Sequence, residues 1–187
     1  GHGYPLWAPA PNEALPVEYQ NTGVSIGDVG LVTEDGGFDF LFNVFLPLDD
    51  TINRFHGVPE GFVSLARNPN EFQVDSHRHR PGVPISRSGV ESVTFNAGAS
   101  AQVPCVPTLT IGAEIELNFT RSSGAVLMLP DGAARVDYQN RASFLEYAAQ
   151  NAKSWYDFVN GPLGRETENG SLYLITGHDK TCPWEMA

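Results

Sequence analysis

Apolar residues first gather from Val24 to Pro47, in VSIGDVGLVTEDGGFDFLFNVFLP. Two β-branched and aromatic runs flank Glu34-Asp35-Gly36-Gly37, which predicts a hairpin with a tight turn. Phe38, Phe40 and Phe42 alternate with Asp39, Leu41 and Asn43, so a strand here places the three rings on one face, against the core. Gly27 and Gly30 in the partner strand signal a bulge or a close backbone approach. Strand-like runs return at Val90 to Ala97, Ala113 to Thr120 and Ala125 to Leu129, separated by Gly, Pro and Ser clusters. One helix is legible after them. Asn140 caps it, Phe144, Ala148, Ala152, Trp155 and Val159 recur at helical steps, and Asn160-Gly161-Pro162 ends it. Ser171 to Thr176, SLYLIT, is apolar on both sides and predicts an interior strand.

The polar stretches complete the plan. Pro5, Pro9, Pro11 and Pro16, interleaved with Tyr4, Trp7, Leu15 and Tyr19, exclude a helix from the first twenty residues and predict an arm over residues 1–22 that lies on the core. Residues 47–85 lose periodicity and predict a long irregular surface stretch, a length that in a small domain is either functional or mobile. The whole reads as one α+β domain over residues 1–187, mainly antiparallel β-sheet with one long amphipathic helix near the C-terminus.

Charge narrows the function more than composition does. Eleven Lys and Arg against 22 Asp and Glu leave a net charge of −11, which repels phosphate backbones and anionic lipid, so nucleic-acid binding through a basic face is excluded. No apolar run reaches the ~20 residues that cross a bilayer, and GHGYPLWAPAPNE has neither basic flank nor apolar signal core; we expect no membrane span and a cytoplasmic location. Cys105 and Cys182 are either buried thiols or one bridge, and neither forms a CxxC motif. The triplets at Asn118 and Asn169 read as incidental glycosylation sequons.

Several constellations are candidates for chemistry. His77 and His79 alternate on an extended segment and, with His56 or Asp75, have the residue types of a metal site, although Arg78 and Arg80 raise the cost of a cation there. His178, Asp179 and Cys182 follow the last predicted strand, where a nucleophile and a base can meet, with Cys105 as a distant partner. Asp28, Glu34, Asp35 and Asp39 surround the hairpin, as calcium ligands or a carboxylate pair require, but without calcium-loop spacing, and turn chemistry explains most of them. Asp39 stands apart because it sits between two rings. Tyr4 and Trp7 of the arm, with Asp39, are candidate ligand contacts, and Trp155, Tyr156, Trp7, Tyr173 and Trp184 a stacking platform for sugars or an interface hot spot, with Trp155 better explained as core.

Five ordered blocks spread over the chain, GYPLW at 3–7, GVSIGDVG at 23–30, GGFDFLFN at 36–43, SWYDFVNG at 154–161 and GSLYLITGHDKT at 170–181, resemble an uncharacterised protein family of mushroom-forming (agaricomycete) fungi. The resemblance implies kinship without an activity, substrate or cofactor. Its members continue past the segment matching Asp179 to Trp184, which implies an amino-terminal part of a longer protein; they carry Cys where this chain has His178. The expected function is a noncatalytic binding or interaction module whose partner is another protein or a missing downstream half. The alternatives are a hydrolase or metal-dependent enzyme using His77, His79 and His178 with carboxylates, and a carbohydrate-binding domain.

Overall fold

The computed structural model describes residues 5–81, 129 and 131–181 in full, and the backbone of strands at 85–86, 90–95, 108–110, 115–119 and 126–127. The fold is α+β and mainly sheet, with one long helix near the C-terminus. Its elements run α1 (Val17–Thr22), β1 (Asp28–Val32), β2 (Phe38–Asn43), α2 (Asn53–His56), β3 (Phe72–His79), β4 (Ile85–Ser86), β5 (Val90–Phe95), β6 (Thr108–Thr110), β7 (Ile115–Phe119), β8 (Val126–Leu127), β9 (Ala133–Tyr138), α3 (Arg141–Asn160), β10 (Leu172–Leu174) and β11 (Gly177–Lys180). The chain divides into two compact units, Gly1–Asp75 with Arg135–Asp179, and Ser76–Ala134 with Lys180–Ala187. Within the described residues no helix is long and apolar enough to cross a membrane.

The first unit is built on the predicted hairpin. β1 and β2 pair antiparallel, and β10 adds to the other side of β1, giving the order β10-β1-β2. The bulge falls where the glycines foretell it: Val29 pairs with Phe42 and Gly30 with Phe40, so Leu41 is the extra residue. That insertion corrects the expectation of three rings on one face. Phe40 packs with Leu15, Tyr19 and Phe38, whereas Leu41 and Phe42 join the main core with Trp155, Phe158 and Val159 of α3. β2 is therefore covered on both sides, and Phe40, Leu41 and Phe42 are each at most 1% exposed.

The helix follows its sequence plan. Ser143 N–H donates to Asn140 Oδ1 at 3.2 Å, the expected cap, which satisfies a donor that the first turn leaves open. Phe42 meets Trp155 edge-on at 5.6 Å between ring centroids and Phe158 at 6.1 Å. Phe144 and Tyr138 lie 4.7 Å apart, and Phe45 is 5.3 Å from each. Burying a side chain of this size contributes roughly 1.5–3 kcal/mol, so α3 is held by its aromatic stripe more than by helix propensity.

Three further expectations are corrected. The arm contains a helix, Val17–Thr22, because its last proline, Pro16, stands at the cap position and the six residues after it carry none. SLYLIT is an edge strand rather than an interior one: Leu172 and Leu174 pack on the core while Tyr173 is 44% exposed. Its edge is sheltered by α3, whose Tyr156 hydroxyl accepts from Gly170 N–H at 2.7 Å and from Leu172 N–H at 3.4 Å. The stretch 47–85 is not irregular throughout, since it holds α2 and the eight-residue β3. β3 belongs to a sheet of order β11-β9-β3, no strand of which stands out in the apolar pattern.

The second unit pairs β4 with β8 and orders three strands as β5-β7-β6, all antiparallel. β5, β7 and β8 lie within the runs predicted at 90–97, 113–120 and 125–129.

Candidate functional site

The hairpin turn is set by short-range chemistry. Gly36 N–H donates to Thr33 O at 2.9 Å and Thr33 N–H to Gly37 O at 3.1 Å. The Thr33 hydroxyl donates to Asp35 Oδ1, and Gly37 N–H reaches Thr33 Oγ1 at 2.9 Å and Asp35 Oδ1 at 3.4 Å. Gly36 has a φ of +82°, the left-handed region where a side chain is disfavoured. A Cβ on it would also stand 2.8 Å from Trp7 Cδ1, so the bare backbone is a seat for the tryptophan. The arm is fastened there by Trp7 N–H and Ala8 N–H, which donate to Gly36 O at 2.9 and 3.3 Å. Trp7 nevertheless remains 75% exposed. The tip thus presents a tryptophan seated on Gly36, which follows Glu34 and Asp35, both exposed, in the turn. The Thr33 hydroxyl, and after it the Gly37 amide, hold the Asp35 carboxyl below its ordinary range.

Comparison with family models, curated proteins and solved structures finds no match to the chain.

The other carboxylates around the hairpin do not converge on it. Asp28 is buried and accepts from Tyr19 Oη at 2.9 Å, Ser25 N–H at 2.6 Å and Asn43 Nδ2 at 2.7 Å. Burial first, then the Asp28 charge and hydrogen bond, drives the Tyr19 phenol far above its ordinary value. Asn43 N–H donates to Asn53 Oδ1 at 2.7 Å while Asn53 Nδ2 donates to Asn43 O at 3.0 Å, so one carboxamide occupies a backbone position of β2 as a neighbouring strand would. This network ties α1, β1, β2 and α2 together, and its partners suit structure rather than turnover.

Asp39 forms a separate cluster. Arg165 Nη2 lies 3.3 Å from Asp39 Oδ2, with both side chains partly exposed, and His56 feels both charges. Burial lowers the His56 value; Asp39 pulls it up and Arg165 pushes it down. Arg165 N–H donates to Val159 O at 3.0 Å, and Asn160 grips Thr167 through Thr167 N–H to Oδ1 at 2.6 Å and Nδ2 to Thr167 O at 3.0 Å. Glu166 between these two anchors has a φ of +50°, so the loop after α3 is pinned on both sides of a left-handed residue. Nothing in the spacing of NGPLGRETENG announces Arg165 as the partner of a residue 126 positions earlier (165 − 39).

The remaining candidates are dispersed. His77 and His79 lie in β3, whose residues from Gln73 to Arg78 are exposed, and His56 ends α2. Among the described residues no group of three or more His, Cys, Asp or Glu is arranged to hold a metal. His178 and Asp179 lie in β11 rather than on a turn, and Asp179 is held from β9 by Arg135, with Nε to Oδ1 at 2.6 Å and Nη2 to Oδ2 at 2.7 Å. That two-pronged pair uses both carboxylate oxygens, which fits a strand-to-strand tie better than the orienting group of a catalytic base. Trp155 is core, as its helical spacing implies. Tyr4, Cys105, Cys182 and Trp184 lie outside the described residues.

Proposed function

We propose that the chain is a β-rich binding module, kin to the fungal family its sequence blocks resemble, that docks a segment of a partner protein on the Trp7-bearing arm where it rests on the β1–β2 hairpin. The observation that carries this reading is that Trp7 is 75% exposed although its backbone is fastened to Gly36. Exposed tryptophans are rich in binding energy when covered, because the ring buries a large area and loses few rotamers. A ring whose backbone is positioned in advance loses still less freedom on docking. The ring adds little to the domain's own core, so its place on the hairpin suits an occupant better than stability.

Affinity capture with the wild-type chain and with Trp7→Ala as baits, compared by quantitative mass spectrometry, tests the reading. We expect at least one protein enriched about tenfold by the wild type and lost by Trp7→Ala, a difference of about 1.4 kcal/mol in binding. Identical sets of captured proteins on the two baits would overturn it.

A further inference from the structure

We propose that the Trp7 indole and the Asp35 carboxylate form a receptor for one cationic side chain, so that the docked segment is a basic peptide presenting an arginine or lysine to the hairpin tip. The inference rests on the docking role proposed for Trp7 and adds the chemistry of the occupant. Its geometry is local. Trp7 lies against Gly36, and Asp35 is the residue immediately before that seat. An indole face attracts a guanidinium or ammonium more strongly than any other aromatic side chain does, and a neighbouring carboxylate supplies the opposite charge.

The carboxylate is also held in place. The Thr33 hydroxyl and Gly37 N–H both reach Asp35 Oδ1. A carboxylate offers about four acceptor positions, so donors on one oxygen leave capacity for a guanidinium. Exposed Glu34 adds a second negative charge at the tip, and the net charge of −11 draws a basic segment toward the molecule from a distance. Diffuse attraction alone would not select the hairpin. The exposed ring does, because a cation–π contact requires the charge to sit over the ring within about 6 Å.

The test titrates the purified chain with a nona-arginine peptide, and with a nona-glutamate peptide as control, by calorimetry in about 0.15 M salt, where charges beyond about 8 Å are screened. Trp7→Ala removes the ring. Asp35→Asn keeps the Oδ1 acceptor for Thr33 and Gly37 and removes only the charge. Circular dichroism confirms that both variants fold. We expect the arginine peptide to bind, the glutamate peptide not to bind, and each substitution to weaken the arginine peptide about fivefold. Equal binding by wild type and both variants would assign the attraction to net charge and overturn the proposal. Failure of the wild type to bind, alongside a partner captured in a Trp7-dependent way, would overturn the cationic occupant and leave the docking role standing. Capture of the same proteins by the wild type and by Trp7→Ala would instead overturn the docking role itself.

Discussion

At the residue scale, the polar groups of the first unit divide by burial, and burial decides what each can do. Asp28 accepts three donors and is 1% exposed, so its charge is compensated inside the core. Asp39, set between Phe38 and Phe40 in the sequence, reaches the surface instead and finds Arg165. His56 is a histidine whose surroundings displace its proton affinity from the ordinary value. Its proton is disfavoured by burial and by Arg165 and favoured only by Asp39, with a net shift below the ordinary value of 6.5. The unfolded chain therefore binds the proton more readily than the folded one. The stability tied to this difference is fully present above pH 6.5 and is lost as the pH falls through the folded value. Urea midpoints measured between pH 7.5 and about 5 should decline more steeply for the wild type than for His56→Gln. Parallel profiles for the two proteins would show that His56 is not held in its neutral form. None of this pairing was legible in the sequence, because Asp39, His56 and Arg165 come from three separate segments.

At the element scale, legibility follows the apolar pattern. The hairpin, the capped helix and the strands β5, β7 and β8 could be read because their residues alternate or recur with a period that exposes one face. β3, β9 and β11 could not. β3 reads FQVDSHRH and is exposed along most of its length, so partner strands rather than a buried face define it. The candidate His77, His79, His178 and Asp179 all fall in β3 or β11, which explains why they read as loop residues. Exposed charge along β3 also suits an edge strand, where it discourages pairing with other chains. Gly30 shows how closely β1 and β2 approach beside the bulge: a Cβ there would stand 2.4 Å from Asp39 O and 2.5 Å from the Phe38 ring. Neither the backbone oxygen nor the packed ring can yield cheaply. Gly30→Ala should lower the unfolding free energy by about 1–3 kcal/mol in urea titration, the usual penalty of forcing an extra carbon into a packed site. An unchanged midpoint would mean that the strands can separate locally, and the bulge would then be a looser feature than its register implies.

At the scale of the whole molecule, two electrostatic effects oppose each other, and salt separates them. The chain carries −11, and like charges spread over a folded body repel one another more than they do along an unfolded chain. Against this stand local pairs, Arg135 with Asp179, Arg165 with Asp39 and Lys153 with Asp157. The Lys153–Asp157 pair joins two exposed side chains one helical turn apart, and such pairs contribute about 0.3–0.5 kcal/mol. The Arg135–Asp179 fork is held by two short bonds and is the least sensitive of the three to screening. Self-repulsion acts over longer distances than any of these pairs, and ions remove it first, since the Debye length shrinks from about 30 Å at 0.01 M to about 8 Å at 0.15 M. Raising sodium chloride across that interval should therefore move the urea midpoint upward at pH 7.5. A midpoint that falls would show the paired charges outweighing the surplus. The same titration bears on recognition, because an acidic body whose stability gains from screening also gains from covering its surplus with a basic partner.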